Sequence, residues 1–385
     1  MGPHTTGPVA LLVVLLMAVG GGCGGDEQTS PAGAGSTSGA PEPTSTPDAD
    51  QLEAEIDEYV DLIGATDALG AVVVARGDAI VLEQYRSGGP DAYWDVQSVT
   101  KSVVSTLIGI ALAEGLIGGL EDPLATLLPA QAHLMSPAVA ATTLHELLTM
   151  TAGLAPGDEW PAPSFTQQPR WVEAVLTSPE STPGGPFGYS NGTTHVLAAI
   201  LQEAVGTTAL DYARSRLFDP LGIDTRPALQ ELDPQLDIGE LAETFEAADF
   251  AWPRDPQGIS TGWWGLRLRP LDMVRLGQLF LAGGRWEGEQ LVPEAWVREA
   301  TSPQVETQGD GHGYGYQWWT ATADGDEAFM AVGWGGQMIE VVPDRDLVVV
   351  TTARTALDDP AERGVDTTVL ASLIEYAVVA QYPDD

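Results

Sequence analysis

Apolar residues recur along this chain in blocks of two distinct periods, and the blocks predict the order of its elements. From Gln51 to Ile63 the apolar positions are Leu52, Ile56, Val60 and Ile63, close to helical spacing. Two β-type runs follow, AVVVAR and IVLEQYR, joined by Gly77-Asp78, which predicts a hairpin. Ser98 to Ile117 is apolar and free of proline and ends at Gly118-Gly119, which predicts a long buried helix whose first turn begins at Ser98. Between about Pro137 and Phe250 the helical stretches are Thr143 to Met150, Thr193 to Val205 and Ala209 to Leu217, separated by loops rich in Pro and Gly. A helix over Pro270 to Leu281 leads into two strands, Gln337 to Val342 and Leu347 to Thr352, around a Pro343-Asp344-Arg345 turn. The chain closes with a helix from Thr367 to Tyr382. Strands near both ends and helices between them predict an α/β (α+β) domain built from both ends of the chain. The α/β part covers about 51–135 and 258–385, and a mostly helical insertion covers about 136–257. A cleft between the two parts is the expected place for a site.

The N-terminal stretch has a different pattern. Val9 to Val19 (VALLVVLLMAV) is apolar but too short to span a bilayer, and Gly20-Gly21-Gly22-Cys23 follows it directly. This reads as an export signal over residues 1–22, and the small residues before Cys23 resemble a bacterial lipobox, in which that cysteine is acylated. Residues 23–50 are Gly, Ser, Thr, Ala and Pro with a few acids. They cannot bury enough apolar area to offset chain entropy and read as a flexible tether. The expected location is the cell envelope, with a lipid anchor at Cys23 on the outer face of the cytoplasmic membrane, or outside the cell if Cys23 is not acylated. The folded domain is expected over residues 51–385.

Composition narrows the chemistry. The chain has 385 residues, 55 acidic against 16 basic, and a net charge of −39, so nucleic acid and anionic lipid surfaces are excluded as partners. With a single cysteine and five histidines, an internal disulfide is impossible, Cys-based metal sites are excluded, and no metal or cofactor is expected. Lys101 is the only lysine; every other basic residue is Arg. An amine can lose its proton when desolvated and a guanidinium effectively cannot, so a chain that keeps one amine has a use for a base. Ser98 lies three residues earlier, on the same helix face, within reach of that amine. A serine hydroxyl is a poor nucleophile until a base takes its proton, and the start of a helix favours developing negative charge. The backbone N–H of Ser98 is also positioned to help bind an oxyanion. The competing reading, a chance surface lysine after an N-cap serine, conflicts with the apolar run SVVSTLIGIAL that follows.

On these residues the chain resembles the serine β-lactamase-like superfamily, which includes class C β-lactamases, penicillin-binding carboxypeptidases and related esterases and amidases. The resemblance spans about Leu52 to Tyr382. Beyond Ser98-x-x-Lys101 it rests on Tyr189-Ser190-Asn191, similar to the class C Tyr-x-Asn element, and on Gly333-Trp334-Gly335-Gly336-Gln337 just before a strand. Supporting segments are LHELLTMTAGL, LFDPLGI, STGWWGLRLRPLDMVRLGQLFL and GGRWEGEQLVPEAW. The resemblance implies a β-lactamase/transpeptidase-like fold, an antiparallel sheet flanked by helices with a mostly helical inserted domain. It also implies roles. Ser98 is the acylated nucleophile, Lys101 its base, and Tyr189 a phenol that relays protons. Asn191 binds a substrate carbonyl and helps fix Lys101, and Gln337 supplies the second oxyanion N–H. Read without the resemblance, Tyr189 is a buried aromatic and Asn191 a helix N-cap.

Penicillin-binding relatives begin the third motif with Lys or His beside Thr, which contact a substrate carboxylate. Here Trp334 and Gly335 replace both, and an indole cannot pair with a carboxylate. Trp334, Gly335 and Gly336 are therefore expected to bind uncharged substrates, as in the branch of esterases and 6-aminohexanoate-dimer hydrolases. The leading expectation is an exported serine hydrolase acting on small uncharged or linear esters and amides. Two rivals stay open: a penicillin-recognising D-Ala-D-Ala carboxypeptidase or β-lactamase, and a non-catalytic envelope-binding protein of the same fold. Asp158 and Glu159 are candidates to meet a substrate ammonium. Trp160, Trp263, Trp264, Trp318 and Trp319 either line an acyl pocket or belong to the core. His145 and His195 read as structural, and His312 as the one histidine to test near the cleft.

Overall fold

The computed structural model describes residues 49–65, 68–154, 164–178, 181–232, 238–307, 312–355, 365, 370–371 and 373–382. Cys23 and the N-terminal signal and tether up to residue 48, together with Asp158, Glu159 and Trp160, lie outside the described residues.

The helices, in chain order, are α1 (Ala49–Leu62), α2 (Val99–Ala113), α3 (Leu124–Leu127), α4 (Pro137–Ala141), α5 (Leu144–Leu148), α6 (Trp171–Leu176), α7 (Asn191–Val205), α8 (Ala209–Ala213), α9 (Ile238–Glu246), α10 (Pro270–Leu281) and α11 (Glu294–Ala300). The strands before α10 are β1 (Leu69–Arg76), β2 (Ala79–Tyr85), β3 (Trp94–Asp95), β4 (Ala228–Leu229), β5 (Phe250–Ala251) and β6 (Arg267–Leu268). After it come β7 (Arg285–Trp286), β8 (Glu289–Gln290), β9 (Val305–Glu306), β10 (Gly313–Tyr314), β11 (Trp319–Ala323), β12 (Asp326–Gly333), β13 (Gln337–Val342) and β14 (Leu347–Ala353).

Eight strands form one sheet in the order β2-β1-β14-β13-β12-β11-β10-β9. Every neighbouring pair is antiparallel, and the two ends of the chain meet where Val73 of β1 faces Val350 of β14. This is the β-lactamase/transpeptidase-like architecture expected above. Period-2 alternation divides the central strands between two cores. Val73, Ile339, Val348 and Val350 point to the side of α2 and α10. Val72, Val74, Met338 and Val349 point to the side of α1 and the C-terminal helix. Both faces are covered, which is why β1 and β14 read as continuous apolar runs rather than alternating ones. Gly277 lets α10 lie close on the sheet, since a Cβ there would sit 2.5 Å from Val348.

Helix α2 is buried almost all round, between α7 on one side and β12 and β13 on the other. Its hydroxyls are satisfied locally and across the cleft. Ser102 Oγ donates to the Gln317 carbonyl at 2.7 Å and Ser105 Oγ to the Tyr316 carbonyl at 2.6 Å, so the polar positions of this helix bind it to the β10–β11 turn.

Two predicted helices depart from regular α geometry. The stretch predicted over Ala209 to Leu217 turns from α8 into a wide π turn over Arg214–Phe218. The C-terminal helix does the same over Ile374–Val378 and then tightens into a 3₁₀ turn over Val379–Gln381. An i→i+5 turn sets Val379 on the same buried face as Ile374, which a 3.6-residue period would not do.

Among the buried polar groups is Glu340 of β13, whose Oε2 has no hydrogen-bond partner among the described residues. Burial, and secondarily the charge of Glu375, push its carboxyl up from 4.5 to about 8. Below pH 4.5 the group is protonated in both folded and unfolded chains. Between 4.5 and about 8 only the unfolded chain releases the proton, so folding stability falls as pH rises through that window. Glu340→Gln should remove this contribution. Relative to wild type, the variant should gain stability as pH rises from 5 to 8, measured by urea unfolding at both values. An unchanged difference at the two pH values would refute the assignment.

Candidate functional site

The site forms where α2, the start of α7, the loop before β6 and the β12–β13 turn converge. Strand β3 runs through Val96 and Gln97 into Ser98, the N-cap of α2. Gln97 has φ +51°, a conformation rarely adopted by a residue other than glycine, and it turns the chain sharply from strand to helix. Ser98 makes no side-chain cap hydrogen bond. Its hydroxyl accepts instead from Lys101 Nζ at 3.1 Å, one helical turn on.

Lys101 is 1% exposed. Its Nζ also donates to Asn191 Oδ1 at 2.6 Å and to the Trp263 carbonyl at 3.4 Å, so the buried nitrogen faces three oxygens. It lies 4.8 Å from the centroid of the Tyr189 ring. Buried ammonium groups persist only when they are hydrogen-bonded, and this set of acceptors meets that demand.

Local sequence explains why Asn191 is available to Lys101. The N-cap of α7 is Ser190, whose hydroxyl accepts from the Thr193 N–H at 3.1 Å. The capping role that Asn191 might have filled is taken by its neighbour, and the Asn191 amide turns to Lys101. Tyr189 stacks on Trp319 at 5.9 Å and meets Tyr314 edge-on at 6.5 Å. Tyr314 is fully buried, and burial first and the charge of Tyr189 second hold its hydroxyl well above the usual phenol range.

Gln337 opens β13 opposite Gly333 of β12. Its side chain is tied to β14, donating to the Ala353 carbonyl at 2.6 Å and accepting from the Ala353 N–H at 3.3 Å. Only its backbone is thereby left to serve the cleft. Gly333 brings the turn against the segment that leads into Ser98: a Cβ there would lie 2.4 Å from the Val96 carbonyl and 3.1 Å from Gln97 Cβ. Within the turn Gly335 and Gly336 have φ +79° and +105°, and a Cβ on Gly336 would press on Leu370 at 2.7 Å. Trp334 is half-buried.

The five residues with expected roles thus fall into two groups. Ser98, Lys101, Tyr189 and Asn191 share one cluster of direct contacts, and Gln337 starts the strand whose preceding turn abuts Gln97. The aromatic candidates divide. Trp319 supports Tyr189, and Trp263 lends its carbonyl to Lys101 while its ring packs on Phe165 and His195. Trp318 packs between Phe280 and Phe329 in the core, and Trp264 packs on Phe245. His195 is buried against Asp255 at 3.1 Å, and His145 meets Tyr316 edge-on, both away from Ser98's immediate contacts. His312 precedes β10, its carbonyl accepting from Thr307. Tyr314 and the Trp263 carbonyl were not singled out by sequence reasoning. Tyr314 sits in a Gly-rich aromatic segment with no motif to mark it, and a backbone carbonyl leaves no trace in residue identity. Among the described residues no group of three His, Cys, Asp or Glu side chains is placed to hold a metal ion.

Comparisons with known proteins bear on the family and the fold. The family model described as Beta-lactamase matches residues 50–372. The 6-aminohexanoate-dimer hydrolase of Paenarthrobacter ureafaciens is 24% identical over 305 residues, covering 73% of this chain and 71% of the relative. Among solved structures, a class C β-lactamase from Rhodobacter sphaeroides superposes with a TM-score of 0.62 at 17% identity, covering 86% of this chain and 99% of that one. A penicillin-binding protein homologue from Caulobacter crescentus gives 0.62 at 19% identity, covering 86% and 98%.

The hydrogen bond between Asn191 and Lys101 can be tested by stability alone. Asn191→Ala should destabilise the protein by about 2 kcal/mol, because a buried ammonium loses its shortest acceptor. In a Lys101→Met background, where no buried charge remains, the same substitution should cost less than half as much in urea unfolding. Equal costs in the two backgrounds would show that Asn191 acts through something other than Lys101.

Proposed function

The chain belongs to the beta-lactamase family of serine hydrolases, and we propose that it cleaves ester or amide bonds of small uncharged or linear substrates through an acyl-enzyme at Ser98. The observation that carries this reading is the lysine nitrogen held between Ser98 Oγ at 3.1 Å and Asn191 Oδ1 at 2.6 Å, with the Tyr189 ring against it. In the proposed cycle the ammonium held at rest first loses one proton to solvent, and Ser98 Oγ then attacks the substrate carbonyl as its own proton passes to the neutral Lys101 Nζ. The tetrahedral oxyanion is met by the backbone N–H groups of Ser98 and Gln337. Collapse breaks the bond to the leaving alcohol or amine, which takes a proton through Tyr189, and the acyl group stays on Ser98. Water, deprotonated through Tyr189, then attacks the ester, releases the acid and restores the Ser98 hydroxyl.

Two features support the substrate class. Trp334 and Gly335 offer no cation or hydroxyl for a substrate carboxylate, and a net charge of −39 disfavours anions approaching the cleft. The relative from Paenarthrobacter ureafaciens, named for its action on a 6-aminohexanoate dimer, favours a linear amide. Export and acylation of Cys23 complete the proposal, on the apolar run and small residues that precede it.

Release of p-nitrophenol from p-nitrophenyl butyrate should be readily measured for wild type and fall by roughly three orders of magnitude or more in Ser98→Ala and Lys101→Arg. Arginine keeps the charge but removes the base. Turnover of a cephalosporin far faster than of linear amides and esters would favour a penicillin-recognising enzyme instead, and an inert wild type a binding protein. Cells fed an alkynyl fatty acid should label the wild-type protein but not Cys23→Ser; equal labelling would reject the lipid anchor.

A further inference from the structure

Two residues before the nucleophile turn lies a buried carboxylate that the proposed cycle does not use. Asp95 ends β3 and is 6% exposed. One oxygen accepts from the Gln97 backbone N–H at 3.0 Å and the other from the Gln97 side-chain amide at 2.5 Å. The carboxylate therefore grips, at two points, the residue whose φ of +51° delivers the chain into Ser98. The Arg267 guanidinium faces Asp95 and is itself fastened to the carbonyls of Tyr93 and Glu246 at 2.6 and 3.1 Å. Burial pushes the Asp95 carboxyl up to about 6, while the Gln97 and Gly265 hydrogen bonds and Arg267 pull the other way. At neutral pH it is ionised and accepts on both oxygens.

We infer that Asp95 is a positioning residue for acylation: it holds Gln97 in the left-handed conformation that sets Ser98 at the head of α2. The physical argument is one of conformation. A non-glycine residue at positive φ relaxes toward an extended or helical backbone unless its surroundings hold it, and Asp95 supplies two of the bonds that do so. Loss of either bond lets the Ser98 hydroxyl drift from Lys101, and near-attack geometry tolerates little displacement. Alanine at 95 carries no acceptor and removes both bonds to Gln97, whereas asparagine keeps both once the Gln97 amide turns its Oε1 to the new NH₂.

This inference rests on the acyl-enzyme reading, and the experiment separates the two. The full-length protein is treated with a fluorophosphonate, and the rate at which Ser98 acquires the adduct is followed by intact mass and peptide mapping. Asp95→Ala should react about 100-fold more slowly than wild type. With p-nitrophenyl butyrate it should lose kcat with KM little changed. Gln97→Gly added to Asp95→Ala should recover at least about tenfold of the lost rate, since glycine adopts a positive φ without strain. Asp95 acting only on global stability would show additive losses and no such rescue. If Asp95→Ala fails to fold, the double variant decides: a folded, labelled double variant supports the inference, and a folded one that labels no faster than Ser98→Ala overturns it. Wild type labelled at Ser98 with Asp95→Ala labelled at the same rate overturns this inference alone. Wild type that takes up no label overturns the acyl-enzyme reading and this inference with it.

Discussion

The site depends on one buried nitrogen. Lys101 is 1% exposed, in a chain whose other basic residues are all Arg. Burying an ammonium costs several kcal/mol unless its protons find acceptors, so the surrounding fold must deliver oxygens to one point. It does so from three separate segments: Ser98 from the same helix, Asn191 from the start of α7, and the Trp263 carbonyl from the loop before β6. The same convergence that satisfies the charge assembles the chemistry. A serine hydroxyl, an amide and a phenol ring meet around a single lysine nitrogen because that nitrogen tolerates no other environment at this depth.

Bringing these segments together requires unusual backbone at the joints, and each joint has a local reason. Gln97 takes a positive φ under the grip of Asp95. Gly333 has no side chain because the Val96 carbonyl fills the space where a Cβ would be. Ser190 takes over the cap of α7, and Asn191 is spared for Lys101. Small choices of residue type thus tie sheet, central helix and helical layer to one another within a few residues of Ser98. The polar face of α2 adds a second fastening, through Ser102 and Ser105 to the turn that carries Gln317.

Elsewhere the fold holds groups that oppose its stability rather than serve it. Glu340 is buried beneath the C-terminal helix with Glu375 nearby, an arrangement that favours the protonated acid and weakens the fold as pH rises. Tyr314 is likewise kept neutral beside Tyr189 by burial. Only the second of these lies near the candidate chemistry.

Much of this was legible in the linear chain because it is encoded over short distances. The spacing of Leu52, Ile56 and Val60 marks α1, the Gly77-Asp78 turn marks the first hairpin, and the Pro-free apolar run marks α2. The Ser98–Lys101 pair was readable because three residues is less than one helical turn, so periodicity alone sets the two side chains face to face. What it left undecided was everything that depends on residues far apart in sequence. The wide turns at Arg214–Phe218 and Ile374–Val378 answer to packing partners rather than to propensity. The Trp263 carbonyl reaches Lys101 across 162 positions, and Tyr314 of β10 meets Tyr189 from a distant part of the chain. Asp95 reads as an ordinary acid in a surface-like sequence until the fold buries it. The amino-acid sequence by itself determined the main helices and strands and the pairing of Ser98 with Lys101. Tertiary structure decided which backbone atoms and buried groups hold them, because burial and long-range approach are properties of the packed chain and not of any local spacing.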